Sequence, residues 1–497
     1  MRQGTRFRII PIVLLALLAV PFAGLAQEQA QEHAKKHKRY TLVDLGTFGG
    51  PNSNINGGSA VINDKGTIVG GADTADWDPI CGCPVFHAFK WHDGVSTDLG
   101  TLPGGANFSY AITLNSHGVI GGISANGLID PTTGIESFVA TKWKNNGEVV
   151  DLGTFGGSFS LAVSMNDRGQ IVGGAEDAIP DPFNFGGIGG LPSPTQWHAT
   201  LWQDGSMRDL GTLGGPDAFA AYLNECGQIA GNSFTNSIPN PSTGIPTVDP
   251  FLWENGQMVD IGSLGGTFGL VTGVNNRGQV TGFSYLAGDQ AEHAFLWERG
   301  SLLDLGTLGG DYSDGYWIDD SGEVVGGATT PDNLQLRAVR WKNGHVTNLG
   351  SLDDDVCSFA ASSNSKGQIV GSSIPCDIDG PSRAFLWENG GPMVDLQTLV
   401  PPGASLVLAE AEFINDRGEI AGAAQLPNGD SHAVLLIPRD RDDDAADDAT
   451  AVVQNDVTPV TTSSVTVPHT GLTPEKLAQM RARFAKGHRG FGIRLPR

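Results

Sequence analysis

Carboxylates, amides and aromatic rings gather in four stretches of this 497-residue chain. That mixture suits hydrogen bonding and stacking against a glycan or an extended peptide. The first stretch carries Asp76, Trp77 and Asp78 beside Cys81 and Cys83, and the second Asp130 and Glu136. The third, the longest, carries Glu176, Asp177, Asp181, Phe183, Phe185 and Trp197 amid glycine and proline. The fourth offers Asn232, Asn236, Asn240 and Asp249. The candidate ligand-binding residues are Asp76, Trp77, Asp78, Asp130, Glu136, Asp181, Phe183, Phe185 and Trp197. The same residues serve equally well in loops that pack on their neighbours and are otherwise solvated.

Catalytic and metal chemistries find less support. His87, His198, His293 and His432 recur at one position, but Val139, Asp249, Arg337 and Arg383 replace them in other copies. A metal site would not survive that exchange, whereas a structural hydrogen bond would. The repeated Asp-x-Gly lacks the acidic alternation and terminal Glu of a calcium loop, so no cofactor is expected and calcium has no motif behind it. Gly-Thr-Leu-Gly-Gly lacks the lysine of a phosphate loop, and no nucleophile elbow appears. Two carboxylates for glycoside hydrolysis exist among 54 acids, but nothing in the sequence picks a pair. Cys357 and Cys376 flank a turn near Ser365-Lys366 almost symmetrically. If 360–364 pairs with 368–373, a disulfide is expected at the open end of that hairpin. Cys81-Gly82-Cys83 reads as a loop staple, a redox pair or half a metal site, and Cys226 as a free thiol.

The elements that position these residues are repeats. One phrase recurs eight times: a turn of the type Asn-Asp-x-Gly, then Gln-Ile-Val-Gly, a loop, His-Ala-Phe-Leu-Trp, a second turn, and Asp-Leu-Gly-Thr-Leu-Gly-Gly. The turn glycines are Gly66, Gly118, Gly169, Gly227, Gly278, Gly322, Gly367 and Gly418, and another glycine stands four residues after each. Asx caps a turn and Gly takes its positive φ, so each unit predicts two tight hairpins, or four antiparallel strands. Glycine inside the second strand is costly unless another backbone approaches closely, as between packed sheets. Seventy glycines and repeats of blade size predict an all-β propeller of eight four-stranded blades. The lone Asp-Leu-Gly strand at 40–46 would complete the eighth blade and close the ring.

The His-Ala-Phe strand, complete at His87-Ala88-Phe89 and His293-Ala294-Phe295, and the Asp-Leu-Gly-Thr-Leu-Gly-Gly segment resemble the extracellular HAF-repeat family. The resemblance covers roughly residues 40–438. It implies export and a propeller-like fold, and no activity, because that family is known by its repeats.

The copies are unequal. From the second-strand glycine to the tryptophan position, units one to four span 21, 21, 29 and 22 residues (Gly70 to Trp91, Gly122 to Trp143, Gly173 to Trp202, Gly231 to Trp253). The last four span 15, 15, 16 and 14 (Gly282 to Trp297, Gly326 to Trp341, Gly371 to Trp387, Gly422 to Leu436). One half of one face is therefore elaborated, as a binding surface on a repeat scaffold would be.

The two ends read differently. Residues 1–26 have the basic start, short apolar run and small-residue end of a signal peptide, and 27–39 form a linker. No stretch is apolar enough to span a membrane as a helix. After the repeats (40–438), residues 439–472 are an acidic and polar linker and 473–497 a predicted basic helix and tail. From Glu475 to Arg497 there are seven Lys or Arg against one acid, with Leu477, Met480 and Phe484 at helical spacing. A formal charge of −24 excludes nucleic acid as a partner of the main body. The sequence reads as a secreted, monomeric binding or scaffold protein, extracellular or periplasmic. It holds a glycan or protein on its loop-rich face, and its tail is available for envelope contact. The alternative is a secreted polysaccharide hydrolase or lyase with carboxylates at the propeller mouth.

Overall fold

The computed structural model describes residues 37–439, apart from 56–59, 79–81, 106–107, 189–193, 242, 354, 356, 375–381 and 389. The expected signal peptide, most of the N-terminal linker, the acidic linker, the basic helix, Cys81 and Cys376 lie outside the described residues. The chain divides into Met1–Lys38 and Arg39–Arg497, and the architecture below is that of the second unit.

Each repeat folds into two hairpins that share their strands in sequential order. In blade two these are Ser109–Leu114, Ile120–Ile129, Glu136–Trp143 and Val149–Asp151. Eight such blades follow one another, and parallel bridges join neighbours at Phe86 to Phe108, Val248 to Phe268 and Glu292 to Tyr312. The eighth blade takes Val407–Ile414, Ile420–Gln425 and Ser431–Pro438 from the end of the repeats. Its outermost strand is Tyr40–Asp44, paired antiparallel from Tyr40 with Pro438 to Asp44 with Val434. The protein is an eight-bladed β-propeller closed by its N-terminal strand.

The repeated residues hold the blades to one another. In each Asn-Asp-x-Gly turn the Asn Oδ1 accepts from amides two and four residues on, as Asn166 does from Arg168 and Gln170. The same side chain also donates from Nδ2 to the backbone carbonyl of the matching turn in the next blade. The chain of bonds runs Asn63 to Asn115 (3.2 Å), Asn115 to Asn166 (3.4 Å), Asn166 to Asn224 (3.2 Å) and Asn224 to Asn275 (2.8 Å). It continues from Asn275 to Asp319 (2.9 Å) and from Asn364 to Asn415 (3.0 Å), and returns from Asn415 to Asn63 (3.2 Å). Only the step from blade six to blade seven fails, because Asp319 has no side-chain donor. Just beside it Glu323 is buried with an unpartnered Oε1. Asp319→Asn keeps the acceptor and supplies a donor to both Asn364 O and Glu323, as Asn415 does for Glu419 at 2.7 Å. The variant is expected to gain about 1–2 kcal/mol in urea unfolding; an unchanged midpoint would refute this account of the seam.

The histidines are structural. Nδ1 of His87, His198, His293 and His432 lies 2.9 Å from Asp98, Asp209, Asp304 and Asp44 of the outermost strand. In three of these strands the following Ala donates its amide to a Ser hydroxyl on the next blade's first strand: Ala88 to Ser109, Ala294 to Ser313 and, across the closure, Ala433 to Ser53; after His198 the facing residue is Ala218. Between blades four and five both partners change together. Pro250 has no amide to give, and Gly269 offers no hydroxyl but the space Pro250 needs.

The glycine within each second strand is explained differently from the expectation. The backbone that approaches it belongs to the first strand of its own blade, at a β-bulge, and not to another sheet. A Cβ on Gly173 would lie 1.8 Å from Leu161 O, and one on Gly326 1.9 Å from Asp314 O. The bulges fall at those points, between Ala162 and Ser164 and between Gly315 and Trp317.

Candidate functional site

The long connections of blades one to four are arms: their second and third strands run on past the blade. In blade one Ile68–Asp78 pairs with Cys83–His92 as far as Asp78 opposite Cys83, and in blade two Ile129 reaches Glu136. In blade three Ile171–Pro180 pairs out to Thr195, and the connection holds a short helix, α1 (Phe185–Ile188). In blade four pairing continues beyond Phe234 with the Thr235 amide bonded to Thr247 O. Blades five, six and eight close soon after the sheet ends, as at Gln425 opposite Ser431. Antiparallel order places all four arms on one face and the Asx turns on the other.

The arms share two properties. Each carries an exposed aliphatic or aromatic side chain: Trp77 (63% exposed), Leu128 (66%) with Ile129, Ile179 (56%) and Ile238 (76%). None of the four segments, 73–86, 125–137, 176–197 and 234–248, contains a Lys or Arg, while they contain eight acids: Asp73, Asp76, Asp78, Asp130, Glu136, Glu176, Asp177 and Asp181. Beneath the arms a cluster shared by blades two to four packs Tyr110, Phe138, Phe159, Phe185, Trp197, Phe219 and Phe234.

The residues singled out from the sequence divide between surface and interior. Asp76 and Trp77 are exposed on the first arm, and Asp78 is buried. Glu136 is half-buried and accepts from the Gly127 amide at 3.1 Å. Asp130 is buried and accepts from the Thr132 and Thr133 amides, the Thr133 hydroxyl and, across to blade three, the Ser158 hydroxyl at 2.6 Å. Burial alone would raise its carboxyl, but these donors outweigh it and hold the group below its usual range. Asp181 accepts from the Phe183 and Phe185 amides and so builds the start of α1. Phe183 is half-buried, 5.9 Å from the Phe234 ring, while Phe185 and Trp197 are buried, Trp197 fully. The rings of Phe185 and Trp197 support the arm from below and offer no stacking surface. Cys83 and Cys357 are both disulfide-bonded, and Cys226 is an exposed free thiol.

Two buried acids lie at the root of the third arm. Glu176 is fully buried, accepts from the Ser158 amide at 3.3 Å, and leaves Oε1 without a partner. Burial pushes its carboxyl up to about 8, against Thr195 and the Ser158 and Phe159 amides, which pull it down; nearby Asp130 adds to the rise. Asp217, also fully buried, accepts from the Trp197 amide at 2.8 Å and leaves Oδ2 unpartnered. Burial, with Asp181 adding to it, brings it up to about 7. Asp217 escaped the sequence reading. Its signal was an acid at the position where aligned links carry Phe159, Phe268 and Tyr312. Nearby, His198 bonds Asp209 through Nδ1 and Asp177 of the arm through Nε2 (3.2 Å), and these carboxylates raise the imidazole above its ordinary value. In blade four the His–Asp pair is replaced by Asp249 facing Asp260, and burial followed by that like charge brings Asp249 to about 6.

These raised groups set a direction for pH. Between 4.5 and about 8 the unfolded chain has Glu176 ionised while the folded chain keeps its proton, so stability present below pH 4.5 is lost as pH rises to about 8. Asp217 acts in the same sense between 3.8 and about 7, and His198 from 6.5 upward. Urea unfolding is expected to show stability falling from pH 5 to pH 8. Glu176→Gln should flatten that slope and exceed the parent at pH 8 by on the order of 2–3 kcal/mol. A slope indifferent to the substitution would contradict the assignment.

Among the described residues no group of three or more His, Cys, Asp or Glu is placed to hold a metal ion, and no helix is long and apolar enough to cross a membrane. No family model and no curated protein matches the chain. Solved structures with similarity include TolB from Agrobacterium tumefaciens, at 16% identity and a TM-score of 0.28, covering 49% of this chain and 87% of that one. Dipeptidyl peptidase 4 of Porphyromonas gingivalis, at 11% identity and a TM-score of 0.39, matches 69% of this chain and 53% of the peptidase. The β-propeller domain of the Trilobed protease from Pyrococcus furiosus, at 12% and 0.30, matches 64% of this chain and 97% of the domain.

Proposed function

We propose that this propeller is an exported, non-catalytic docking protein of the extracellular HAF-repeat kind, and that the arm face of blades one to four holds a protein partner. The observation that carries the reading is the row of exposed apolar side chains, Trp77, Leu128, Ile129, Ile179 and Ile238, on four consecutive arms that hold no cation, the first three of them rich in acids. Solvated apolar side chains concentrated on projecting elements gain by burial against a partner. Their charge setting selects a surface with Lys and Arg around an apolar patch. A protein fits better than a glycan, because four of the five exposed side chains, Leu128, Ile129, Ile179 and Ile238, are aliphatic and only Trp77 offers a ring for a sugar to stack on.

Replacing Trp77, Leu128, Ile129, Ile179 and Ile238 by Ser leaves the blades untouched and should abolish co-elution with the partner on size exclusion of native extracts. A control set on outermost strands, Val95, Val259 and Leu303 to Ser, should retain it. Equal retention by both sets would sink the reading.

A further inference from the structure

The partner chemistry the arms call for, apolar side chains among cations, is written in the same chain. Residues 475–497 carry Lys476, Arg481, Arg483, Lys486, Arg489, Arg494 and Arg497 against Glu475 alone, with Leu477, Met480 and Phe484 at helical spacing. We infer that this C-terminal segment docks on the arm face of its own propeller, seating Leu477, Met480 and Phe484 among Trp77, Leu128, Ile179 and Ile238. The inference rests on the reading of the arms as a docking surface and names the intramolecular occupant of that surface.

Reach permits it. The last strand ends at Pro438, and the Arg439 amide bonds Arg39 O, so the chain leaves blade eight on the turn face, opposite the arms. The eight-residue strand Ser431–Pro438 sets a blade height of roughly 26 Å at about 3.3 Å per residue. The linker of 439–472 reaches roughly 110 Å when extended, and as a coil its ends lie roughly 30–35 Å apart. It can therefore pass the rim and hold the segment near the arms at millimolar effective concentration, of order. Charge directs it there. The turn face it leaves mixes Lys65, Arg168, Arg277, Lys366 and Arg417 with Asp64, Asp167, Glu225, Asp320 and Asp416 and so gives a basic segment no net attraction, whereas the arm segments carry eight acids and no cation.

A zero-length carbodiimide, which joins Lys amines to carboxylates, tests this on the full chain, with mass spectrometry of the monomer fraction. Expected are links from Lys476 or Lys486 to Asp76, Glu136 or Asp181, independent of protein concentration. Leu477→Ser with Met480→Ser and Phe484→Ser should cut them at least about tenfold, as should 0.5 M salt by screening. Links confined to the linker acids or to the turn-face acids Asp64, Asp167 and Asp320 would overturn the inference. So would arm links found only between isotopically distinct copies. None of these readouts needs the partner, so loss of arm links with the partner still captured by the arm tips removes the inference and leaves the docking reading standing.

Discussion

A chain lacking residues 40–44 is expected to lose about 5 kcal/mol or more of stability, or to stop unfolding cooperatively. The strand contributes buried Tyr40 and positions buried Leu45, whose amide bonds Ala433 O. It also supplies Asp44, which holds His432 and caps the Gly46 amide. Without it, the edge of Ser431–Pro438 is left unpaired at the one place where the two ends of the repeat array meet. The remaining bonds across that seam, among them Asn415 to Asn63, Arg417 to Asp64, Ser431 to Asn52 and Ala433 to Ser53, must then hold the ring without the covalent continuity the other seams have. Urea unfolding monitored by circular dichroism reads the loss. A synthetic peptide of residues 39–46 added in excess should restore part of it by pairing as the missing strand. A truncated chain that unfolds at the parent midpoint would show that the ring does not depend on this strand.

Gly173→Ala is expected to cost more than about 3 kcal/mol, although it adds one methyl group. The methyl would fall 1.8 Å from a backbone carbonyl that the bulge fixes in place. Relief would require unbuckling the first strand, and with it the side chains that carry the inter-blade bonds. Gly273→Ala is the control. It too is a strand glycine, but its nearest neighbours are methyl groups of Ile318 at 3.2 Å and Thr281 at 3.5 Å, and a cost of about 1 kcal/mol or less is expected. Thermal melting of the pair separates the two mechanisms. Equal losses would mean that strand propensity, not the carbonyl, fixes the glycine.

The fold was legible because each unit states its own turns. Asx-x-x-Gly, Asn-Gly and Asp-Gly at fixed offsets specify hairpins whatever surrounds them, and the unmatched strand at 40–46 pointed to the closure. The second task of the turn asparagines was not legible, since capping and reaching to the next blade call for the same residue. Only the exception, Asp319, distinguishes them, and only once the neighbouring carbonyl is in view. The arm face was half legible. Loop lengths located it, and Trp77 was chosen, but Leu128, Ile129, Ile179 and Ile238 were not. On the first three arms exposure follows irregularities between Asp73 and Trp77, Ala125 and Ile129, and Glu176 and Pro180, which reset the alternation of faces; Ile238 lies beyond the end of the regular pairing at Phe234. Trp197, opposite Glu176 at the end of the unbroken register, stays in the interior.

Docking on the arms is tested most directly by photocross-linking in the native cellular setting, with p-benzoylphenylalanine placed singly at Trp77, Ile129, Ile179 and Ile238 and, for contrast, at Val95, Val259 and Leu303. The expected result is one discrete adduct, the same partner from at least three of the four arm positions, with none from the outermost strands. Adducts absent from the arms, or equally abundant from both sets, would contradict the account.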